Sequence, residues 1–372
     1  MPDDASRIQP RPPPGSTPRP RVGWGEILNR TYLPQLLTLC LAIWLHAANS
    51  MLTATTMPEA VDDIGGLRLI SWAFALYLMG SILAATAISV CVATWGLRRT
   101  MMASTLVYTL GCVICASAPA MPVLLVGRTV QGLGGGALVA LVYVAQDRFF
   151  PNRLVPRIVA CLSVVWTTAA LCGPLIGGAF ATAGLWRFAF WAFALQGLLL
   201  AAAVHPLLAR TPAEADTQAR PIPAVRLALV AGAILAISFA GTVASTVLAT
   251  ALVLSGCACL ALFVARDTAA GGTRLLPRRA TDLDHPVGCG IAMTFVLSLS
   301  MMSFLVYGPI LLIRLYGLTP LEAGLVVVAE SLGWGAGALL LSGVAGGPPG
   351  PGGGAGRRGA GGGGGGQGGG GG

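Results

Sequence analysis

The run Leu125-Val-Gly-Arg128-Thr-Val-Gln131-Gly132-Leu-Gly134-Gly135-Gly136 sets a guanidinium and a carboxamide inside a segment otherwise apolar enough to cross a bilayer. Placing arginine in hydrocarbon costs at least ~2.5–3.5 kcal/mol on the insertion scale, so an ionisable side chain at that depth marks a functional site. The glycines that follow leave one helix face bare, and a neighbouring helix can approach it closely. Together these features suit a transport path better than a passive anchor. A structural ion pair or a clamp on backbone carbonyls is the alternative role for Arg128, and simple tight packing the alternative for the glycines.

Other polar groups lie at comparable depth. Arg128 is six residues past Pro122, about 9 Å in from the end of its segment at 1.5 Å per residue. Asn49 stands nine residues before Pro58, so the two are expected to meet across a helix interface. Glu330 sits about eleven residues into the last apolar segment, near the midplane. A carboxylate there is suited to trading protons or binding a cationic substrate, or else it is one half of a paired polar contact. His46 reads as a lining or packing residue. Cys112 and Cys115 have the spacing of a redox or metal pair, but no His, Asp or second Cys pair lies near them. They read as small packing residues, and no metal site, cofactor or disulfide framework is expected.

The elements that must position these groups are membrane helices. The chain has 372 residues, of which 55% are hydrophobic and only 10% charged. Soluble domains carry about 25% charged residues. Ten segments approach the ~20 apolar residues a crossing needs: about 33–53, 71–93, 100–118, 122–146, 157–182, 186–206, 224–242, 246–265, 287–313 and 320–345. This is an all-α polytopic membrane protein. All 23 basic residues are arginine, and their placement sets topology. With the N-terminus inside, 19 arginines fall in cytoplasmic segments, three (Arg68, Arg187, Arg314) outside and Arg128 within the membrane. Both termini are therefore expected in the cytoplasm. The net charge of +9 follows topology and does not signal nucleic-acid binding. Three scattered histidines (His46, His205, His285) offer no polar constellation for a membrane enzyme, and nothing resembles a channel filter.

The domain plan runs as follows. Residues 1–32 form a Pro/Arg-rich cytoplasmic arm without the apolar core of a signal peptide. A six-helix bundle spans 33–208, a charged linker 209–223 and two linking helices 224–266. Residues 267–345 hold a loop and the first two helices of a second bundle. From 346 to 372 the chain is nearly all glycine, which neither packs a core nor spans a bilayer. It reads as a frameshift in GC-rich DNA in preference to a flexible linker.

Several motifs resemble the major facilitator superfamily, and within it the fourteen-helix drug:proton antiporter branch. Arg128-x-x-Gln131-Gly132-x-Gly134 is similar to the family's fourth-helix arginine motif. Gly173-Pro174-Leu-Ile-Gly177-Gly178 resembles the antiporter motif and is followed by Trp186-Arg187 at the next turn. Trp72 and Tyr77 match a second-helix pattern. Tyr316-Gly-Leu-Thr-Pro320-Leu-Glu-Ala-Gly324 resembles the turn joining the first two helices of the second bundle. The resemblance covers about 33–345 and implies proton-coupled efflux of drugs or amphipathic metabolites by alternating access. Partners would be the lipid bilayer, a small-molecule substrate and protons, in the inner membrane. The family's first-helix acid is Asn49 here. In the loop after the second helix Gly96, Arg98 and Arg99 are kept, but Ala93 and Thr94 replace an acid and an arginine. With only two helices of the second bundle present, a non-transporting membrane fragment is the alternative expectation.

Overall fold

Proline stands in the first turn of five of the long helices, where its missing N–H has no intrahelical partner to lose. The computed structural model describes residues 24–27, 29–207, 222–271 and 274–344. The helices are α1 (Trp24–Ile27), α2 (Leu33–Ile64), α3 (Ile70–Ala116), α4 (Met121–Phe149), α5 (Val155–Thr182), α6 (Trp186–Leu207), α7 (Ala224–Ala240), α8 (Thr246–Ala269), α9 (Pro286–Tyr316) and α10 (Pro320–Val344). There is no strand among the described residues. The described residues divide into two compact units, one running to Val328 and the other from Ala329 onward. Residues 1–23 of the predicted 1–32 arm, most of the 209–223 linker and the 346–372 tail lie outside the described residues.

Two boundaries differ from the sequence expectation. The first spanning helix runs to Ile64 rather than ending near 53, and Pro58 lies inside it. Threonine hydroxyls line this extension and turn back on carbonyls one turn earlier. Thr53 donates to Asn49 at 2.8 Å and Thr56 to Leu52 at 3.2 Å. With those hydroxyls satisfied, Thr53, Thr55 and Thr56 are buried and the helix continues through the polar stretch. The arm also gains structure before residue 33. Ile27 of α1 is buried in the core, and Glu26 pairs with Arg153.

The expected second and third helices form one element, α3, broken at a single residue. Gly96 has φ 79° and ψ 158°, a conformation only glycine tolerates freely. Thr100 staples the break, donating to Gly96 O at 2.8 Å and Cys91 O at 3.1 Å. Each limb, 70–95 and 97–116, is long enough to cross a bilayer at about 1.5 Å per residue.

The glycines of α4 explain how both limbs reach it. A Cβ on Gly132 would lie 2.2 Å from Tyr77 O, and one on Gly136 2.3 Å from Ser81 Cα, both on the first limb. A Cβ on Gly134 would lie 2.3 Å from Tyr108 N on the second. α5 meets α2 by the same device. A Cβ on Gly177 would stand 2.3 Å from Thr55 Oγ1, and one on Gly173 3.0 Å from Ala48 O. α7 pairs with α8 and touches α3 where Trp72 meets Phe239 edge-on at 6.4 Å. α9 packs on α2.

Candidate functional site

Arg128 lies two turns into α4 with no solvent exposure, as do Asn49 on α2 and Gln131 one turn further along α4. Its Nε donates to Ala73 O of α3 at 3.2 Å, and Nη1 donates to Asn49 Oδ1 at 2.8 Å and to Gln131 Oε1. The Arg128 Cζ rests 4.2 Å from the centroid of the Tyr77 ring. Three helices thus converge on one guanidinium, and the expected meeting of Asn49 with Arg128 is in place. A planar fork with several donors suits this arrangement, whereas a lysine ammonium offers only a point charge.

The cluster extends in two directions. Tyr77 OH and His46 Nδ1 are 2.9 Å apart, with the rings stacked at 5.5 Å, and His46 meets Trp166 of α5 edge-on at 6.0 Å. Gln131 Nε2 donates to Cys112 Sγ at 2.9 Å. Tyr108 OH donates to Leu45 O at 2.8 Å. Cys112 and Cys115 are buried free thiols packed in this interior. Among the described residues no group of three or more His, Cys, Asp or Glu side chains is placed to hold a metal.

The antiporter-like residues sit apart from the arginine. Pro174 lies inside α5, and its carbonyl accepts from Thr55 at 3.1 Å. Gly173 and Gly177 face α2, while a Cβ on Gly178 would lie 2.8 Å from Leu321 Cα at the start of α10. Gly324 returns the contact, its Cβ position being 2.7 Å from Pro174 O. Gly96 forms the α3 break, with Arg98 half-buried and Arg99 exposed beside it. Trp72 faces Phe239 of α7. Glu330 is half-buried on α10 and belongs to the second unit.

The acidic end of α2 carries contacts that the sequence reading did not single out. Asp63 accepts from Trp186 Nε1 at 3.1 Å and pairs with Arg187, which also donates to Ala118 O at 3.1 Å and lies over the Trp186 ring. Asp62 pairs with Arg314 at the end of α9. At the C-terminal end of α8, Asp267 is buried, pairs with Arg226 at 2.6 Å and accepts from Leu275 N and Leu276 N, both at 2.9 Å. A spacing signal was available for the arginine cradle. Ala73 and Tyr77 are one helical turn apart, so a carbonyl and a ring share the face turned to α4.

The Major Facilitator Superfamily matches residues 39–353. A "Probable multidrug-efflux transporter" of Mycobacterium tuberculosis is 34% identical over 326 residues, covering 84% of this chain and 67% of that protein. An "Uncharacterized MFS-type transporter" of Schizosaccharomyces pombe is 26% identical over 163 residues, covering 44% of this chain and 28% of the relative. Among solved structures, a D-xylose-proton symporter aligns with a TM-score of 0.51 at 14% identity, covering 81% of this chain and 66% of that one. The chain therefore spans about two thirds of the length of the fullest of these matches.

Proposed function

The chain belongs to the Major Facilitator Superfamily, and from that premise we propose that it works in secondary transport, exporting lipophilic or amphipathic small molecules by alternating access and drawing on the proton gradient. The observation that carries this reading is the buried Arg128, clamped by α2, α3 and α4 at one point of the first bundle. A charge held at that cost among mobile helices belongs to a solute or ion path. The 34% identical mycobacterial protein, named for multidrug efflux, supports the direction and the substrate class.

In this reading the first bundle moves as a body, because glycines lock α4 into both limbs of α3 and α5 onto α2. Gly173 and Gly177 belong to that lock on α2, while Pro174 and Gly178 form the sliding contact of α5 with the start of α10, where backbone meets backbone and few side chains must repack. Arg128, Asn49 and Gln131 form the charged cluster that senses the substrate or ion. Asn49 cannot carry a proton, so proton exchange falls to Glu330 on α10. The bias of arginines supports an N-terminus in the cytoplasm, with the protein in the cell membrane in this reading.

The test is dye transport in everted membrane vesicles, using ethidium and an imposed proton gradient that nigericin collapses. The wild-type chain is expected to accumulate dye only while the gradient stands. Arg128→Ala should reduce the rate about tenfold, equivalent to ~1.4 kcal/mol. Gradient-dependent accumulation that survives Arg128→Ala unchanged would sink the reading.

A further inference from the structure

We propose that Asn49 and Arg128 together form a binding site for a single negative charge. Two nitrogens carry the argument. Arg128 Nη2 and Asn49 Nδ2 are both buried and both lack a hydrogen-bond partner. They belong to one cluster, because Arg128 Nη1 already donates to Asn49 Oδ1 at 2.8 Å. Leaving a buried donor unmade costs about 1–3 kcal/mol, and more when the group is charged. Two such donors on residues joined by a hydrogen bond mark a place suited to receive an acceptor.

The charge around them identifies that acceptor. The partners Arg128 does have are neutral: Ala73 O, Asn49 Oδ1, Gln131 Oε1 and the face of Tyr77. Among the described residues the ion pairs use Glu26, Asp62, Asp63 and Asp267, and none involves Arg128. The site therefore keeps a positive charge that no side chain of the cluster cancels. A cation is repelled from it. A neutral acceptor fills the hydrogen bonds and leaves the charge, whereas an anion satisfies both. Asn49, Gln131 and Arg128 have no exposed surface, so the ligand is small or presents only a small end. Chloride and the carboxylate of an amphipathic molecule share this chemistry. The inference does not depend on the direction or coupling of transport.

The purified full-length chain in detergent micelles provides the test. Its Tm is followed while chloride replaces methanesulfonate at constant ionic strength, and in a second series while benzoate does so. A ligand that binds only the folded state raises Tm with its concentration, here saturably and by about 2–4 °C. In Asn49→Asp a fixed carboxylate takes the ligand's place, and the response should vanish while the protein stays folded. Arg128→Gln should abolish the response by removing the charge. Should that variant fail to fold, Asn49→Asp decides alone. Half-saturation at lower chloride than benzoate assigns the site to an inorganic ion, and the reverse assigns it to a carboxylate-bearing solute. A wild-type Tm indifferent to both anions, or a response of equal size in Asn49→Asp, overturns the proposal.

Discussion

A guanidinium withdrawn from water must replace its solvation group by group, and Arg128 does so at Nε and Nη1 with hydrogen bonds and across its face with an aromatic ring. Hydrogen bonds from a charged donor contribute about 1.5–3 kcal/mol each, and a desolvated cation–π contact about 2. The Tyr77 ring is therefore as important to the cluster as any one of the arginine's hydrogen bonds. Its hydroxyl serves a separate purpose, meeting His46 at 2.9 Å. Two substitutions separate these roles. Tyr77→Phe keeps the ring beneath Arg128 and should lower stability by about 1 kcal/mol. Tyr77→Leu removes the ring as well and should cost about 3 kcal/mol. Thermal unfolding of the two variants in the same detergent checks the order, and equal losses would mean the ring face contributes nothing. Sequence anticipated the meeting of Arg128 with Asn49 from each residue's distance to a proline, although only Pro122 stands at a helix start and Pro58 lies inside α2. It did not reveal His46 as a partner of Tyr77, since a histidine amid apolar residues has no periodicity that announces what it faces.

At the level of elements, glycine placement decides which helices become neighbours. Gly96 is the sharpest case. Its φ of 79° and ψ of 158° fall where essentially only glycine goes, while a Cβ there would meet nothing within 4 Å. The cost of Gly96→Ala is thus purely conformational, about 1–3 kcal/mol. Because Thr100 closes the same break through two hydrogen bonds, the damage should appear locally as faster amide exchange over 91–100. Exchange unchanged in that stretch would refute the argument. Gly177→Val provides the contrasting case, for its helix dihedrals are ordinary and its obstacle is Thr55 Oγ1 at 2.3 Å and Leu52 O at 2.7 Å. That overpacking should cost about 1–3 kcal/mol in thermal unfolding by prising α5 from α2. The break at Gly96 and the glycine faces were readable in sequence because glycine has few other reasons to recur there. The reach of α2 to Ile64 was not, since Pro58 and the three threonines Thr53, Thr55 and Thr56 resemble a turn until their hydroxyls are seen bonding back along the helix. The Arg226–Asp267 pair was also hidden, because isolated charges at helix ends read as solvated until the fold brings them together.

Within the first compact unit, α2 and α5 meet later parts of the chain by two unlike means. One is the ion pair of Asp62 with Arg314, whose side chains are 50% and 54% exposed. Pairs so open to solvent are worth about 0–1 kcal/mol. The other is backbone packing of α5 on the start of α10. Gly178 stands against Pro320 and Leu321, Gly324 against Pro174 O, and Leu321 N donates to Thr182 at 3.2 Å. A side chain at Gly324 must displace backbone, which no rotamer change avoids, and the expected cost is about 1–3 kcal/mol. The closure of these ends therefore rests on the glycines, with the ion pair supplying orientation. Asp62→Asn should leave amide exchange over 174–182 and 320–328 within about twofold of wild type, matching a loss under ~0.5 kcal/mol. Gly324→Leu should raise exchange there about tenfold or more, matching ~1.4 kcal/mol of lost closure. If Asp62→Asn opened these segments as far as Gly324→Leu, charge would be the latch and the glycine contacts mere accommodation. The glycine-controlled outcome is favoured because two backbones in van der Waals contact have no water-filled alternative state of similar energy, whereas separated surface charges do.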